Sequence, residues 1–270
     1  MTRTALVTGA SSGIGEACAL RLARNGWRVL AGVRNDADAE RLRALELEPV
    51  TLDVTDAASI AAVRVDELDA LVNNAGIAVS MPIEFLPLDE LRRQLEVNVV
   101  GQVAVTQAFL PQLRASRGRI VNVGSIAGRS SLPFLGAYAA SKHALEAVTD
   151  ALRMELQPFG IHVAIVEPGS IATPIWTKGA ETFQRLIDGL PAEVTTLYGA
   201  RMLAFRKAAQ AAGQRGEPAD AVAAVVEQAL TAEKPRTRYL VGRDARRRAA
   251  LQYLPDRVRD RIYERVLLRA

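Results

Sequence analysis

Short apolar runs alternate with amphipathic stretches along most of this chain, and that alternation narrows the possible folds more than any other feature. "TALVTG", "WRVLAGV", "PVTLDV", "LDALVNNAG", "GRIVNVGS" and "IHVAIVEPG" read as six strands, and "TRYLVG" as a seventh. Residues 14–25 follow a helical period, with Ile14, Cys18 and Leu22, then Ala17, Leu20 and Ala23, on the inner side. "ADAERLRAL", residues 88–115, residues 138–159 and "EPADAVAAVVEQAL" supply further helices. Strands apolar on both faces need cover on both, so the pattern predicts an α/β fold, a doubly wound parallel sheet of about seven strands. No repeat, low-complexity segment or Pro/Gly linker divides the chain, so one domain over residues 1–270 is expected. Two stretches stand outside the alternation: an insertion over 175–216, and a basic amphipathic helix over 251–270 with Leu251, Leu254, Val258, Ile262 and Val266 in one stripe.

Charge is concentrated rather than spread. Of the net +4, residues 243–270 contribute nine arginines against Asp244, Asp256, Asp260 and Glu264, leaving the body slightly negative. A nucleic-acid groove across the body is therefore not expected. The basic tail helix would pack on the body or a second subunit, or touch an anionic membrane surface peripherally. Cys18 is the single cysteine, which excludes an intrachain disulfide. No signal-like segment and no apolar run near the roughly 20 residues of a membrane span is present, so a cytoplasmic protein is expected. His143 and His162 stand apart, and no metal site is expected.

"VTGASSGIG" at residues 7–15 follows the first strand and opens the first helix. Gly9 suits the tight turn, Gly13 a close approach of backbone to pyrophosphate, and Gly15 close helix packing, with Ser11, Ser12 and Ile14 in the same turn. A helix N-terminus there offers free N–H groups and a positive dipole end to phosphates. In an alternating chain this is a dinucleotide-binding signature and implies a Rossmann fold. NAD-preferring sites put an acidic residue at the end of the second strand, about 20 residues on. Here Val33 stands at that place and Arg34 follows, which favours NADP(H) through a guanidinium on the 2′-phosphate. Asp36 keeps NAD(H) open, although capping the next helix is its more ordinary role.

"TGASSGIG", "NNAG" at 73–76, Asn98, Ser125, "YAASK" at 138–142 and "PGSIAT" at 168–173 together resemble the short-chain dehydrogenase/reductase family. The motifs stand in the family's order over roughly residues 4–175, with thirteen residues from Ser125 to Tyr138. "LPF", "QPFGIHVAIVEPG" and the apolar insertion are most similar to the steroid and retinoid dehydrogenase branches. The resemblance implies that Tyr138 is the general acid/base on a substrate hydroxyl or carbonyl, that Ser125 binds the same oxygen, and that Asn98 holds a water linking Lys142 to solvent. Free tyrosine has a pKa of about 10, and Lys142 four residues on could lower it as a nearby cation. By the same resemblance Asp53 and Val54 flank the adenine, and Asn74, Ala75 and Gly76 meet the adenosine ribose. Pro168, Gly169, Ile171 and Thr173 would lie along the nicotinamide, with Tyr138 and Lys142 also touching the cofactor. Asp53 could equally be a turn or helix cap. The segment from Asp53 to Asn73 is shorter than is usual in the family, so a short third helix is expected.

The implied activity is NAD(P)-dependent interconversion of a secondary alcohol and a ketone. The apolar residues of 175–216, among them Ile175, Trp176, Phe183, Leu186, Met202, Leu203 and Phe205, suit a lid over a lipophilic small molecule, steroid-, retinoid- or acyl-like. A catalytically silent dinucleotide-binding regulator is the alternative, opposed by the intact Asn98, Ser125, Tyr138 and Lys142. A nucleotide-sugar epimerase or dehydratase fits neither the glycine turn nor the length. The two long helices match those that pair subunits in relatives, implying a homodimer or homotetramer.

Overall fold

A computed structural model describes residues 2–267, with side chains described through Arg265. In chain order the strands are β1 (Thr4–Val7), β2 (Arg28–Val33), β3 (Glu48–Thr51), β4 (Ala70–Asn73), β5 (Arg119–Val123), β6 (His162–Pro168), β7 (Ile171–Ala172), β8 (Glu217–Pro218) and β9 (Arg238–Val241). Seven of them form one parallel sheet in the order β3-β2-β1-β4-β5-β6-β9. The order reverses between β1 and β4, and that switch point opens a crevice at the carboxyl ends of the strands.

The helices are α1 (Gly13–Arg24), α2 (Asp36–Arg43), α3 (Ala57–Ala62), α4 (Leu88–Leu95), α5 (Gly101–Ser116), α6 (Gly136–Leu156), α7 (Ile175–Asp188), α8 (Glu193–Gln214), α9 (Ala219–Thr231), α10 (Arg243–Leu251) and α11 (Asp256–Leu267). Strand residues alternate between two cores. Ala5, Val7, Val29, Ala31 and Val121 face α1 and α9, where Cys18, Leu22, Val222 and Val226 are buried. Leu6, Leu30, Leu71, Ile120 and Val163 face the other side, against Val105, Phe109 and Leu113 of α5 and Leu156 of α6. This is the two-sided burial that the apolar strands require.

Three boundaries differ from the sequence expectation. The helix expected over 88–115 is interrupted by one π-helical turn at Glu96–Val100, which separates α4 from α5 and carries the buried Asn98. Asp36 does not cap α2; Asn35 does, accepting from the Asp38 N–H at 2.8 Å. The helix expected over 251–270 starts later: Leu251 ends α10, residues 252–255 leave the helix, and Pro255, with no N–H to continue α10, starts α11 by accepting from the Val258 N–H. Of the expected stripe, Leu251, Leu254 and Ile262 are half-buried and Val258 is 43% exposed, while Tyr263, outside the stripe, is buried. Val266 lies outside the described side chains, and α11 packs toward α8 with Arg201 paired to Glu264 at 3.5 Å. The third helix is short, as expected.

The insertion is clamped at its base. β7 precedes it and β8 follows it, and the two pair with each other. Between them α7 and α8 form an antiparallel pair whose inner face, Phe183, Leu186, Val194 and Met202, packs on Val79, Met81, Leu86 and Ala137.

Candidate active site

A cavity of about 1520 Å3 occupies the crevice, lined by residues at the carboxyl ends of β1 to β6 and by the inner walls of α7 and α8. At its floor is the glycine turn. Gly9 and Gly13 both have positive φ, 64° and 61°, a conformation that a side chain would strain. A Cβ on Gly15 would collide with the Gly9 carbonyl, so Gly15 lies against the turn itself, behind the lining. Asn74 reaches back from β4 and donates to the Thr8 and Gly9 carbonyls at 3.0 and 3.1 Å, while the Thr8 hydroxyl accepts from the Asn74 and Ala75 N–H groups. Ser12, the N-cap of α1, makes no side-chain cap bond, so the first N–H groups of that helix are unclaimed by it. Free donors at a helix start, on a turn without side chains in the way, fit a dinucleotide pyrophosphate. Ser11, Ser12, Gly13 and Ile14 all line this part of the cavity.

Val33 ends β2 fully covered, and Arg34 beside it is exposed and lines the cavity. Asp53 and Val54 line it from the end of β3. Burial works against the Asp53 carboxylate, but hydrogen bonds from the Thr55 N–H and hydroxyl and the charge of Arg34 outweigh it and hold Asp53 below its ordinary value. Asp53 thus makes a turn with Thr55, while Asp56 caps α3. Of the roles read for Asp53, the turn is the one its hydrogen bonds fill, and the cap of α3 falls to Asp56.

Tyr138 and Ser125 line the cavity; Lys142 and Asn98 stand behind its wall. The Ser125 hydroxyl caps the short turn Ile126–Gly128, accepting from the Ala127 N–H at 3.1 Å. Burial pushes the Tyr138 phenol above its usual value, while the Ser125 hydroxyl and the charge of Arg248 pull it down. Lys142 is buried, donates to the Val123 carbonyl at 2.8 Å, and lies with its Nζ 5.9 Å from the centre of the Tyr138 ring. Its charge therefore stands over the Tyr138 ring. Burial brings Lys142 down to about 8, offset in part by Glu146 one turn on. Glu146 is raised to about 7 by burial and by the neighbouring Glu167 carboxylate, against the pull of Arg238.

The Asn98 side chain is held by protein groups on two sides. Its Oδ1 accepts from the Ile77 N–H at 2.9 Å, and its Nδ2 donates to the Ile77 carbonyl and the Ser141 hydroxyl at 3.0 and 3.1 Å. Ser141 in turn donates to the Tyr138 carbonyl at 2.7 Å. Gln94 and Gln102, which no motif singled out, hold the same strand extension through Ile77, Val79 and Ala75. Asn98 thus ties the loop after β4 to the helix bearing Tyr138.

Pro168, Gly169, Ile171 and Thr173 line the far end. Their loop is fixed by Gly169 N–H to Val241 carbonyl at 2.9 Å and by Ser170 N–H to the Asp244 carboxylate at 2.7 Å. Trp176 donates from Nε1 to the Ile171 carbonyl and lays its ring against Gly213, where a Cβ would sit 2.7 Å from it. The insertion's apolar residues divide: Leu186 and Met202 pack inward, Ile175, Trp176 and Leu203 line the cavity, and Phe183 and Phe205 do both or line it buried. Arg248 of α10 also lines the cavity, and nothing in the sequence distinguished it from the other arginines of the tail. Among the described residues no cluster of His, Cys, Asp and Glu could hold a metal.

The family profile described as short chain dehydrogenase matches residues 3–183. The chain belongs to the short-chain dehydrogenase family. It is 40% identical over 256 residues to a 3-amino-tetrahydro-pyrrolizinone reductase of Xenorhabdus hominickii, covering 91% of this chain and 89% of that protein. It is 41% identical over 265 residues to retinol dehydrogenase 16 of Homo sapiens, covering 92% and 82%. Its fold matches the crystal structure of a short-chain dehydrogenase from Burkholderia cenocepacia J2315 in complex with NADP, with TM-score 0.75, 27% identity and 98% of each chain covered. Another solved structure of this fold is in complex with NAD. This short-chain dehydrogenase is accordingly an NAD(P)-dependent oxidoreductase, a Rossmann-fold enzyme of the family whose motifs the sequence carries. Among the described residues no helix is long and apolar enough to cross a membrane.

Proposed function

We propose that this enzyme interconverts a lipophilic secondary alcohol and its ketone, with NADP(H) preferred over NAD(H). The observation that carries the reading is the apolar wall that α7 and α8 place over the Tyr138 end of the cavity. Ile175, Trp176, Phe183, Leu203 and Phe205 line it. Each Å2 of apolar substrate buried there contributes about 25 cal/mol, so a bulky hydrocarbon body binds far better than a sugar. A retinol dehydrogenase among the relatives supports the same substrate class.

In this reading Tyr138 gives its proton to the ketone oxygen during reduction and takes it back during oxidation. Ser125 donates a hydrogen bond to the same oxygen and stabilises charge that develops on it. Lys142 would hold a positive charge against the Tyr138 ring and would bind the cofactor. The bound nicotinamide supplies or accepts the hydride. Gly9, Ser11, Ser12, Gly13 and Ile14 would bind the pyrophosphate, with Gly15 supporting the turn. Asp53, Val54, Asn74, Ala75 and Gly76 would enclose the adenosine, and Pro168, Gly169, Ile171 and Thr173 would hold the nicotinamide. Arg34 would pair with the 2′-phosphate, since no carboxylate ends β2 to bind a free 2′-hydroxyl. The segment 175–216 would act as a lid hinged at the β7–β8 clamp. The exposed Val100, which ends the π-helical turn before α5, and Met154 of α6 suit a homodimer or homotetramer contact.

The test is a series of methyl ketones of increasing chain length, reduced with NADPH and with NADH in parallel. Catalytic efficiency should rise with chain length and be greater with NADPH. Preference for a small hydrophilic carbonyl compound would overturn the lipophilic reading, and equal use of both cofactors would overturn the role of Arg34.

A further inference from the structure

Arg248 lines the cavity wall, and among the described residues it makes no direct ion pair, Asp244 acting on its charge only from a distance. It projects from α10, which is fixed to the turn after Ser125 by Ala245 and Ala249 packing on Ile126. One guanidinium nitrogen, Nη2, holds it in place by donating to the Ser130 carbonyl and hydroxyl at 3.0 and 3.1 Å. A guanidinium has five N–H donors, and this tether uses only those on Nη2. Nε is buried with no acceptor. The carboxylate nearest in sequence, Asp244 one turn earlier, is committed to the Ser170 and Ala245 N–H groups. Tyr263 of α11 lies beside Arg248, its buried hydroxyl near the guanidinium though in no well-formed hydrogen bond with it.

A tether alone does not explain the residue, because a neutral donor would hold Ser130 equally well without burying a cation. The charge also reaches the reacting group: it pulls the Tyr138 phenol down from the value that burial imposes. Arg248 is tied to Ser130 and acts on Tyr138, whereas the Gly13 turn meets Thr173 and Pro174, so the cofactor phosphates have their own cradle. The geometry points to Arg248 as the receptor for an anionic group (carboxylate, sulfonate or phosphate) carried by the substrate beside its reacting carbonyl. With Nη2 tethered and Nε buried, the Nη1 donors are the ones left for such a group. The wider lining agrees in sign, with Lys178, Arg206 and Lys207 also on the walls of the substrate end. The substrate class is then an anionic amphiphile: a hydrocarbon body against α7 and α8, a ketone or hydroxyl at Tyr138, and an acid group at Arg248. This rests on the lipophilic reading above and narrows it.

The experiment is binding of decanoate and of its methyl ester to the NADP+-loaded protein, by calorimetry and thermal shift, for wild type, Arg248→Met and Arg248→Lys. Wild type should bind the acid at least tenfold more tightly than the ester. Arg248→Met should erase that preference, and Arg248→Lys should keep only part of it, because a single ammonium cannot hold the Ser130 tether and meet the acid group as the guanidinium does. If Arg248→Met does not fold, the partial loss in Arg248→Lys remains the deciding result. The kinetic counterpart is a long-chain γ-oxo acid against its methyl ester, where the acid-to-ester ratio of kcat/KM should fall at least tenfold in Arg248→Met, through KM. An ester that binds wild type as well as the acid does, or an acid preference that survives in both variants, overturns the role of Arg248 while leaving the lipophilic reading standing. Failure of both ligands to bind wild type overturns the two together.

Discussion

A buried lysine stays charged at neutral pH only while its surroundings permit, and Lys142 is close to that limit at about 8. Below that pH it is cationic and can attract the cofactor; above it the charge fades, more than two units earlier than in a free lysine. The kcat/KM for NADPH, which reports the cofactor-free enzyme, should therefore fall as pH rises through about 8. In Lys142→Met that limb should be missing and the value low throughout, and an unchanged limb would assign it to another group. Arg34 makes a second, sharper case. A hydrogen bond to a charged group is worth about 1.5–3 kcal/mol, so Arg34→Ala should raise the KM for NADPH by roughly tenfold or more and leave that for NADH nearly unchanged. Steady-state kinetics with the two cofactors decides it; equal effects would mean that the 2′-phosphate is read elsewhere.

At the scale of elements, α6 does two jobs with one face. Tyr138 opens on the cavity while Lys142, Glu146 and Thr149, at successive turns, point inward to β5 and β6, and Thr149 accepts from the buried Asn122. Glu146 shares its buried place with Glu167, a fully covered carboxylate on β6 paired to Arg129 at 2.8 Å. Because burial and Glu167 raise Glu146 to about 7 in the folded protein, its contribution to stability is present below its ordinary carboxylate range and lost as pH rises through about 7. Glu146→Gln should remove that loss and stabilise the protein above neutrality by about 1 kcal/mol, much of the raw shift being discounted for the nearby Arg238 and for screening. Denaturant unfolding of both proteins at pH 5 and pH 8 reads this directly: the gain belongs at the higher pH. A variant less stable at both would show that the carboxylate is held for its ion pair. The π-helical turn at Glu96–Val100 is the other element that chemistry has shaped, since it turns Asn98 inward to grip Ile77 and Ser141.

Across the whole molecule, what was legible in the sequence was what repeats or recurs in fixed order. Strands apolar on both faces could only be a covered parallel sheet, and the glycine turn could only follow its first strand. The cavity lining brings together Gly9, Arg34, Asp53, Ser125, Tyr138 and Thr173 from five strand ends and α6, residues up to 164 positions apart in the chain. Features set by single tertiary contacts were not legible. The π-helical turn leaves helical periodicity almost intact, Asn35 and Asp36 are equally good caps by type, and Pro255 was read through rather than as a break. Arg248 is one arginine among nine in the tail, and only the packing of α10 on Ile126 sets it apart.

Everything proposed for this short-chain dehydrogenase turns on Tyr138 as the group that moves the proton. The deciding measurement is turnover of a long-chain ketone by Tyr138→Phe, with NADPH binding to the same variant followed by fluorescence. Loss of a general acid/base should lower kcat by about 100- to 10,000-fold while the affinity for NADPH stays near that of the wild type. A Tyr138→Phe enzyme that reduces the ketone at the wild-type rate would contradict the mechanism outright.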